Sequence, residues 1–278
     1  MSESKQRWRL VFARDEEARY LSHLDASHLW ERAMRRGQVP VAMSEGFSPR
    51  PRLVFAAPLP LGMLAEHELA DLFVSRRLTR REMRGCLEAG MPRGFRLIDL
   101  RDEWVGAPAL ATELVAADYR LTLLGVDEDR LHPAAEALLR AESLPRERRR
   151  EKKVTAYDLR PLLLALQTRA AEAAGLDRGQ PAAGIWMRLR HSQRQGSGRP
   201  EEVVAALADH LGLRVEAFEQ QETEKPKGEE DGEVRPSERT FAPSIEPATA
   251  ALLEMVRPVR ERLWLDGEAP VDATGPEP

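Results

Sequence analysis

Polar and apolar positions alternate along residues 7–13 (RWRLVFA), the two-residue period of a strand with one face buried. After the charged turn DEEAR the period changes. Ala26, Leu29, Trp30, Ala33 and Met34 recur at spacings of three and four, which predicts a helix with a single apolar stripe. Ser22 stands at its start as N-cap with Asp25 three residues on, and Gly37 is placed to end it as a C-terminal glycine. Residues 52–58 (RLVFAAP) and 67–74 (HELADLFV) read as strands, TRREMRGCLEAG as a helix capped by Thr79 and Glu82, and residues 94–100 (GFRLIDL) as a closing strand. This order, β-α-β-β-α-β, is that of a ferredoxin-like unit.

The second half repeats the order. Strands are predicted at 116–124, 147–157, 182–192 and 213–219, and helices at 127–142 and along RPEEVVAALADHLG, where Pro200 suits a first turn. An irregular insertion falls near 158–180. The expected fold class is therefore α+β: two tandem ferredoxin-like units, 1–105 and 106–219. Residues 220–247 hold almost no large apolar side chains and are expected to form a disordered acidic linker. In the tail, 248–278, the stretch ATAALLEMVRPVRERLWL has helical periodicity before Pro258 and predicts a short C-terminal helix.

Composition narrows the classes. A chain of 278 residues accommodates about two ordinary domains. There is no run of 18 apolar residues, so no membrane span is expected, and the N-terminus MSESKQRWRL lacks the apolar core of a signal peptide. With one cysteine, Cys86, no internal disulfide framework exists, which suits a cytoplasmic protein. A lone thiol likewise cannot hold a cysteine-ligated iron–sulfur cluster or a multi-cysteine zinc site, so no such cofactor is expected in this chain. The net charge of −4 conceals an asymmetry: residues 216–238 carry nine acids and three bases, which leaves the remainder slightly basic. A mildly basic body is compatible with nucleic acid.

The candidate chemistry concentrates between residues 20 and 62. Opposite the apolar stripe, the first helix carries Asp25, His28, Arg32 and Arg35 in one row, with Arg36 beside them: an anion-binding face, or a solvated helix surface. The loop SEGFSPRPR (44–52) offers Ser48, Arg50 and Arg52 as phosphate donors and Phe47 as a stacking face, with Gly46 for the turn. Further on, Arg188 and Arg190 share a strand face with Trp186, the arrangement of a basic, aromatic RNA-binding sheet. His23, Asp25 and Glu68 form a possible polar site. His23 and Asp25 do not face each other on a helix, and Ser22 and Asp25 are explained by capping. The acids Glu66, Glu68 and Asp71 with His67 suggest a weak metal site or partners for the helix arginines.

These residues carry a family resemblance. YLSHLD at 20–25, RAMRR at 32–36, PV at 40–41, SEGFSPRP at 44–51, PLPLG at 58–62 and Glu68 together resemble the pattern of the radical SAM-linked family, an uncharacterised domain of unknown function. The resemblance spans roughly residues 7–215, so the acidic stretch and tail look like additions. Members occur fused to, or encoded beside, radical SAM proteins. The resemblance thus implies a radical SAM partner that carries the iron–sulfur cluster and S-adenosylmethionine. The resulting expectation is a non-catalytic accessory subunit that binds RNA or a nucleotide through Arg32, Arg35, Arg36, Arg50 and Arg52. The alternatives are a module that docks the partner without nucleic acid, and an autonomous enzyme built on His23, Asp25 and Glu68.

Overall fold

The computed structural model describes residues 5–150, 153–171, 181–215 and 252–268. The first half runs β1 (Gln6–Arg14), α1 (His23–Arg36), β2 (Leu53–Phe55), β3 (Leu64–Val74), α2 (Arg80–Gly90) and β4 (Phe95–Glu103). A short helix α3 (Leu110–Glu113) leads into β5 (Leu114–Leu124), α4 (Glu128–Arg140), the hairpin β6 (Pro145–Arg150) and β7 (Lys153–Asp158), and β8 (Leu163–Arg169). Then come β9 (Ala182–Ser192), β10 (Gly196–Ser197), α5 (Pro200–Leu211), β11 (Arg214–Val215) and β12 (Leu252–Leu265). The expected linker, 220–247, lies outside the described residues, as does most of the strand expected at 213–219.

The fold is α+β, with one large and mostly antiparallel sheet. Ten strands join it along the path β10-β9-β5-β12-β3-β1-β4; β2 pairs with β3, β8 with β9 and β11 with β12, while β6 and β7 form a separate ribbon. β1 lies between β3 and β4, antiparallel to both, and every one of its nine residues is buried. Its alternation serves two different interiors. Trp8, Leu10 and Phe12 pack with Trp30 and Met34 of α1 and with Met83 and Leu87 of α2, whereas Val11 joins a second core shared with Tyr119, Leu121, Ile185 and Leu207. On that second face Arg7 and Arg9 converge on Asp71 of β3: Arg7 Nε donates at 2.9 Å and Arg9 Nε at 3.0 Å, and Arg9 also reaches Glu113 at 2.8 Å. Removing one partner of such a buried pair leaves an uncompensated charge and is costly.

The segment 158–180, expected as irregular, instead supplies a helical turn at 160–162 and the strand β8, which extends the sheet beyond β9. The larger correction is the tail. Residues 252–265 are not a helix but β12, inserted between β3 and β5 in the middle of the sheet. Pro258 cannot donate in a helix interior and disfavours one. The pairing with β5 is irregular: the register shifts between Val256 and Val259, between Arg260 and Arg262, and between Trp264 and Leu265. The first two shifts place an extra residue in β12 and the third places one in β5, so the two-residue alternation is broken along the strand. Arg257 adopts φ 51° at the first of these.

Gly37 also departs from expectation. It ends α1 with φ −76°, and the left-handed turn falls on Gln38 (φ 53°). The reason for glycine is steric: a Cβ at Gly37 would lie 2.0 Å from Cys86 O, and one at Gly90 would lie 2.0 Å from Ala33 O. Two glycines thus let α1 and α2 touch backbone to backbone.

Candidate functional site

The motifs at 20–25, 58–62 and 68 converge through three arginines. Arg14, at the end of β1, is buried and donates to three carbonyls at the entrance of α1: Ala18 (2.7 Å), Arg19 (3.0 Å) and Leu21. Its Nη1 donates to no group among the described residues. Arg19 donates from Nε to Gly62 O at 2.8 Å, and Gly62 N returns a bond to Arg19 O at 3.1 Å, which fixes the PLPLG loop against the turn before α1. Arg260, from β12, closes the site. It donates to Glu68 Oε1 at 2.6 Å and to its second oxygen, to Pro58 O at 3.1 Å and to Ala57 O at 3.3 Å. Burial opposes its charge, but Glu68 and the neighbouring Tyr119 hydroxyl outweigh burial and hold the guanidinium protonated above its usual range.

His23 begins α1 at the rim of this cluster, its ring edge-on to Phe55 at 5.4 Å between centroids. Burial, and after it the charges of Arg14 and Arg260, push its pKa below the ordinary value, so it is neutral near pH 7. His23, Glu68 and Arg14 line one cleft with Phe12, Phe55, Phe95, Ala57 and Leu59. At about 20 Å³ the cleft has room for about one water molecule. Asp25 does not join it. Its carboxylate accepts from Ser22 Oγ at 2.6 Å while its N–H donates to that same oxygen at 3.1 Å, the capping arrangement expected from the sequence. His23 and Glu68 are therefore brought together without Asp25, around a space too small for a substrate.

A second feature stands at the far end of α1. Five residues after that helix ends, Val41 bridges Val74 at the end of β3, and Ala42 N donates to Phe73 O. The chain then leaves the sheet as a hairpin and returns where Phe73 N donates to Arg52 O. The hairpin is cross-braced: Ser44 N donates to Arg50 O at 2.8 Å, Arg50 N donates to Ser44 Oγ at 2.9 Å, and Met43 bridges Pro51. Gly46 (φ 124°) turns the tip, and Phe47 projects from it fully exposed at 110%. Ser48 and Arg50 are exposed beside it. Arg32 and Arg35 are exposed on α1 and make no hydrogen bond or ion pair among the described residues, whereas Arg36 donates to Gly90 O of α2 at 3.0 Å. Arg52 turns back over the Phe73 ring, 4.0 Å from its centroid.

Arg188 does not lie on a basic surface. It is buried in a bidentate pair with Asp118 (2.7 and 2.8 Å), between Trp186 and Trp264 at 5.4 and 4.9 Å. Arg169 also lies over the Trp186 ring, 5.6 Å from its centroid, and Arg262 over that of Trp264 at 4.1 Å, so three guanidiniums and two indoles cluster across β8, β9 and β12. This face is knitted together rather than offered to a ligand. Arg190 is half-buried and donates to Pro161 O and Gln195. The acids Glu66, Glu68 and Asp71 pair with arginines, but with Arg120, Arg260 and Arg7/Arg9 from strands rather than with those of α1. Among the described residues no group of three metal-ligating side chains assembles.

Sequence reasoning missed Arg14 and Arg260. Neither stands out in its strand, since β1 also carries Arg7 and Arg9 and β12 carries Arg257 and Arg262; only the pairing of β12 with β3 brings Arg260 to Glu68.

No curated protein matches the chain. Among solved structures it is similar to an unknown protein from Galdieria sulphuraria, at 15% identity and a TM-score of 0.25, covering 76% of this chain and 95% of that one. A likeness that loose carries no argument. Residues 7–200 match a family model described as an uncharacterized protein conserved in bacteria (DUF2344), so the matched segment contains His23, Phe47 and Glu68 but stops short of Arg260. The match covers well over half of the 278 residues, and the chain belongs to this uncharacterized bacterial family.

Proposed function

We propose that this protein is a non-catalytic binding subunit that holds RNA, or a nucleotide-bearing substrate, for a cytoplasmic radical SAM partner. The partner supplies the iron–sulfur cluster and S-adenosylmethionine. Each half is read as a ferredoxin-like unit, with strand orders β4-β1-β3-β2 and β12-β5-β9-β8 and antiparallel neighbours throughout. The observation that carries the binding reading is Phe47. Phe47 is fully exposed at the tip of a braced hairpin, and among the described residues the exposed Arg50, Arg32 and Arg35 have no carboxylate partner. An aromatic face with cations around it stacks a base and neutralises phosphates.

The test is fluorescence anisotropy with a labelled single-stranded RNA of about a dozen nucleotides, a length in the range of common single-strand sites. Phe47→Ala is expected to weaken binding by roughly 10-fold, from stacking worth about 1–3 kcal/mol per base. The double variant Arg35→Ala/Arg50→Ala should also flatten the salt dependence by about two phosphate contacts. Absence of salt-dependent binding by the wild-type chain sinks the reading. A protein-docking role is the second reading, favoured by Trp104, which is exposed at 76% beside Val105. In that case Trp104→Ala abolishes co-purification with the radical SAM partner, the complex survives nuclease and high salt, and the Phe47 and arginine variants change nothing.

A further inference from the structure

We infer that the gap between β3 and β5 is a strand-receiving interaction surface, and that a second copy of this chain can fill it with its own β12. β3 and β5 do not pair with each other; β12 lies between them and is the strand that makes the two halves one sheet. It follows β5 along nine paired positions but meets β3 at only two, Val259 opposite Leu64 and Arg260 opposite Ala65. Backbone bonds hold the strand chiefly to β5, and its side chains clamp it to both halves.

That clamp is specific in charge and shape. Arg260 fills a buried carboxylate and two carbonyls on the first half. Glu261 accepts from Arg120 (2.6 Å) and from Trp186 Nε1 (2.9 Å), and Trp264 Nε1 donates to Asp118 at 2.8 Å, all on the second half. An empty gap would leave Glu68 buried without its cation and Trp186 Nε1 without its acceptor. The surface therefore demands a strand with an arginine, a glutamate and a tryptophan in this register, and this chain carries one.

The connection permits exchange. The 36 residues from 216 to 251 separate β11 from β12. At about 3.3 Å per residue a segment of that length reaches up to roughly 120 Å, ample to cross to a neighbouring molecule. Two copies that trade β12 keep every contact described above, and each then completes the other's His23–Glu68 cluster with Arg260. Such a closed exchange loses no interface and is a low-cost route to a dimer.

Charge reversal tests it with full-length chains. Glu68→Arg places two cations in the buried site and Arg260→Glu places two carboxylates there, so neither variant can close its own gap. Refolded together at equal concentration, each finds an oppositely charged strand only in the other. Native mass spectrometry is expected to show a species of twice the chain mass containing one copy of each variant, absent when either is refolded alone. The double variant Glu68→Arg/Arg260→Glu carries the reversed pair in one chain and serves as control; if it folds as a monomer while the mixture gives no heterodimer, the inference is overturned. Wild-type chain gives an independent reading should the reversed pair fail to pack. A dimer fraction that rises with protein concentration during refolding and persists on dilution is expected, and monomer at every concentration overturns the inference.

Discussion

Single residues in this protein are constrained by what touches their backbone as much as by their side chains. Gly90 is the clearest case, since a methyl group there would meet Ala33 O at 2.0 Å and force α1 from α2. Gly90→Ala is expected to lower stability by about 1–3 kcal/mol, the usual cost of overpacking, visible as a reduced denaturant midpoint at unchanged slope. His191 is constrained by burial. Burial first, and the charge of Arg260 after it, lower its pKa from 6.5 to about 4, and its Nδ1 has no hydrogen-bond partner in the described structure. A histidine whose pKa is lower in the folded than in the unfolded state contributes stability above pH 6.5 and loses it as the pH falls towards about 4. Wild-type stability should therefore drop across that window by up to about 3 kcal/mol more than that of His191→Phe, measured by urea unfolding at stepped pH.

At the scale of elements, β12 decides most. Arg260→Met keeps the length of the side chain but leaves the Glu68 carboxylate buried without its cation. A loss of about 3–5 kcal/mol is expected by chemical denaturation, and Glu68→Gln/Arg260→Met together should recover much of it. The elements also show what a sequence reveals. α1, α2 and α5 are legible because their caps and apolar stripes are local: Ser22, Thr79 and Pro200 stand where the helices begin. β1, β3, β4, β5 and β9 are legible by alternation, as is the braced loop around Phe47 by its glycine and prolines. β12 is not, because its bulges break the alternation that marks a strand, and β8 was hidden by the adjoining turn at 160–162. The polar cluster was half legible. Glu68 belongs to a motif, but Arg260 lies 192 positions away in sequence, and only the sheet brings the two together. Arg188 was misread because alternation tells which residues share a face, not whether that face is covered.

The described residues form a sheet of ten strands, beside a separate two-stranded ribbon, and the middle of the sheet is filled by the strand that comes last among those described. Full-length chain is expected to unfold in one cooperative transition, whereas a chain ending at residue 250 should show broad, non-coincident transitions by circular dichroism and tryptophan fluorescence. The loss of Trp264 from its place between Arg188 and Arg262 provides a direct optical signature of the missing strand. The position of β12 also bears on how the protein is made. The ribosome releases β3 and β5 well before the strand that covers both their edges, so the nascent chain carries two unpaired edges and a buried carboxylate awaiting its arginine throughout the synthesis of the intervening residues. Open edges of that kind recruit other strands. Translation speed through the acidic stretch, and any chaperone that shields an exposed sheet edge, should therefore govern the yield of folded protein more strongly than the stability of either half.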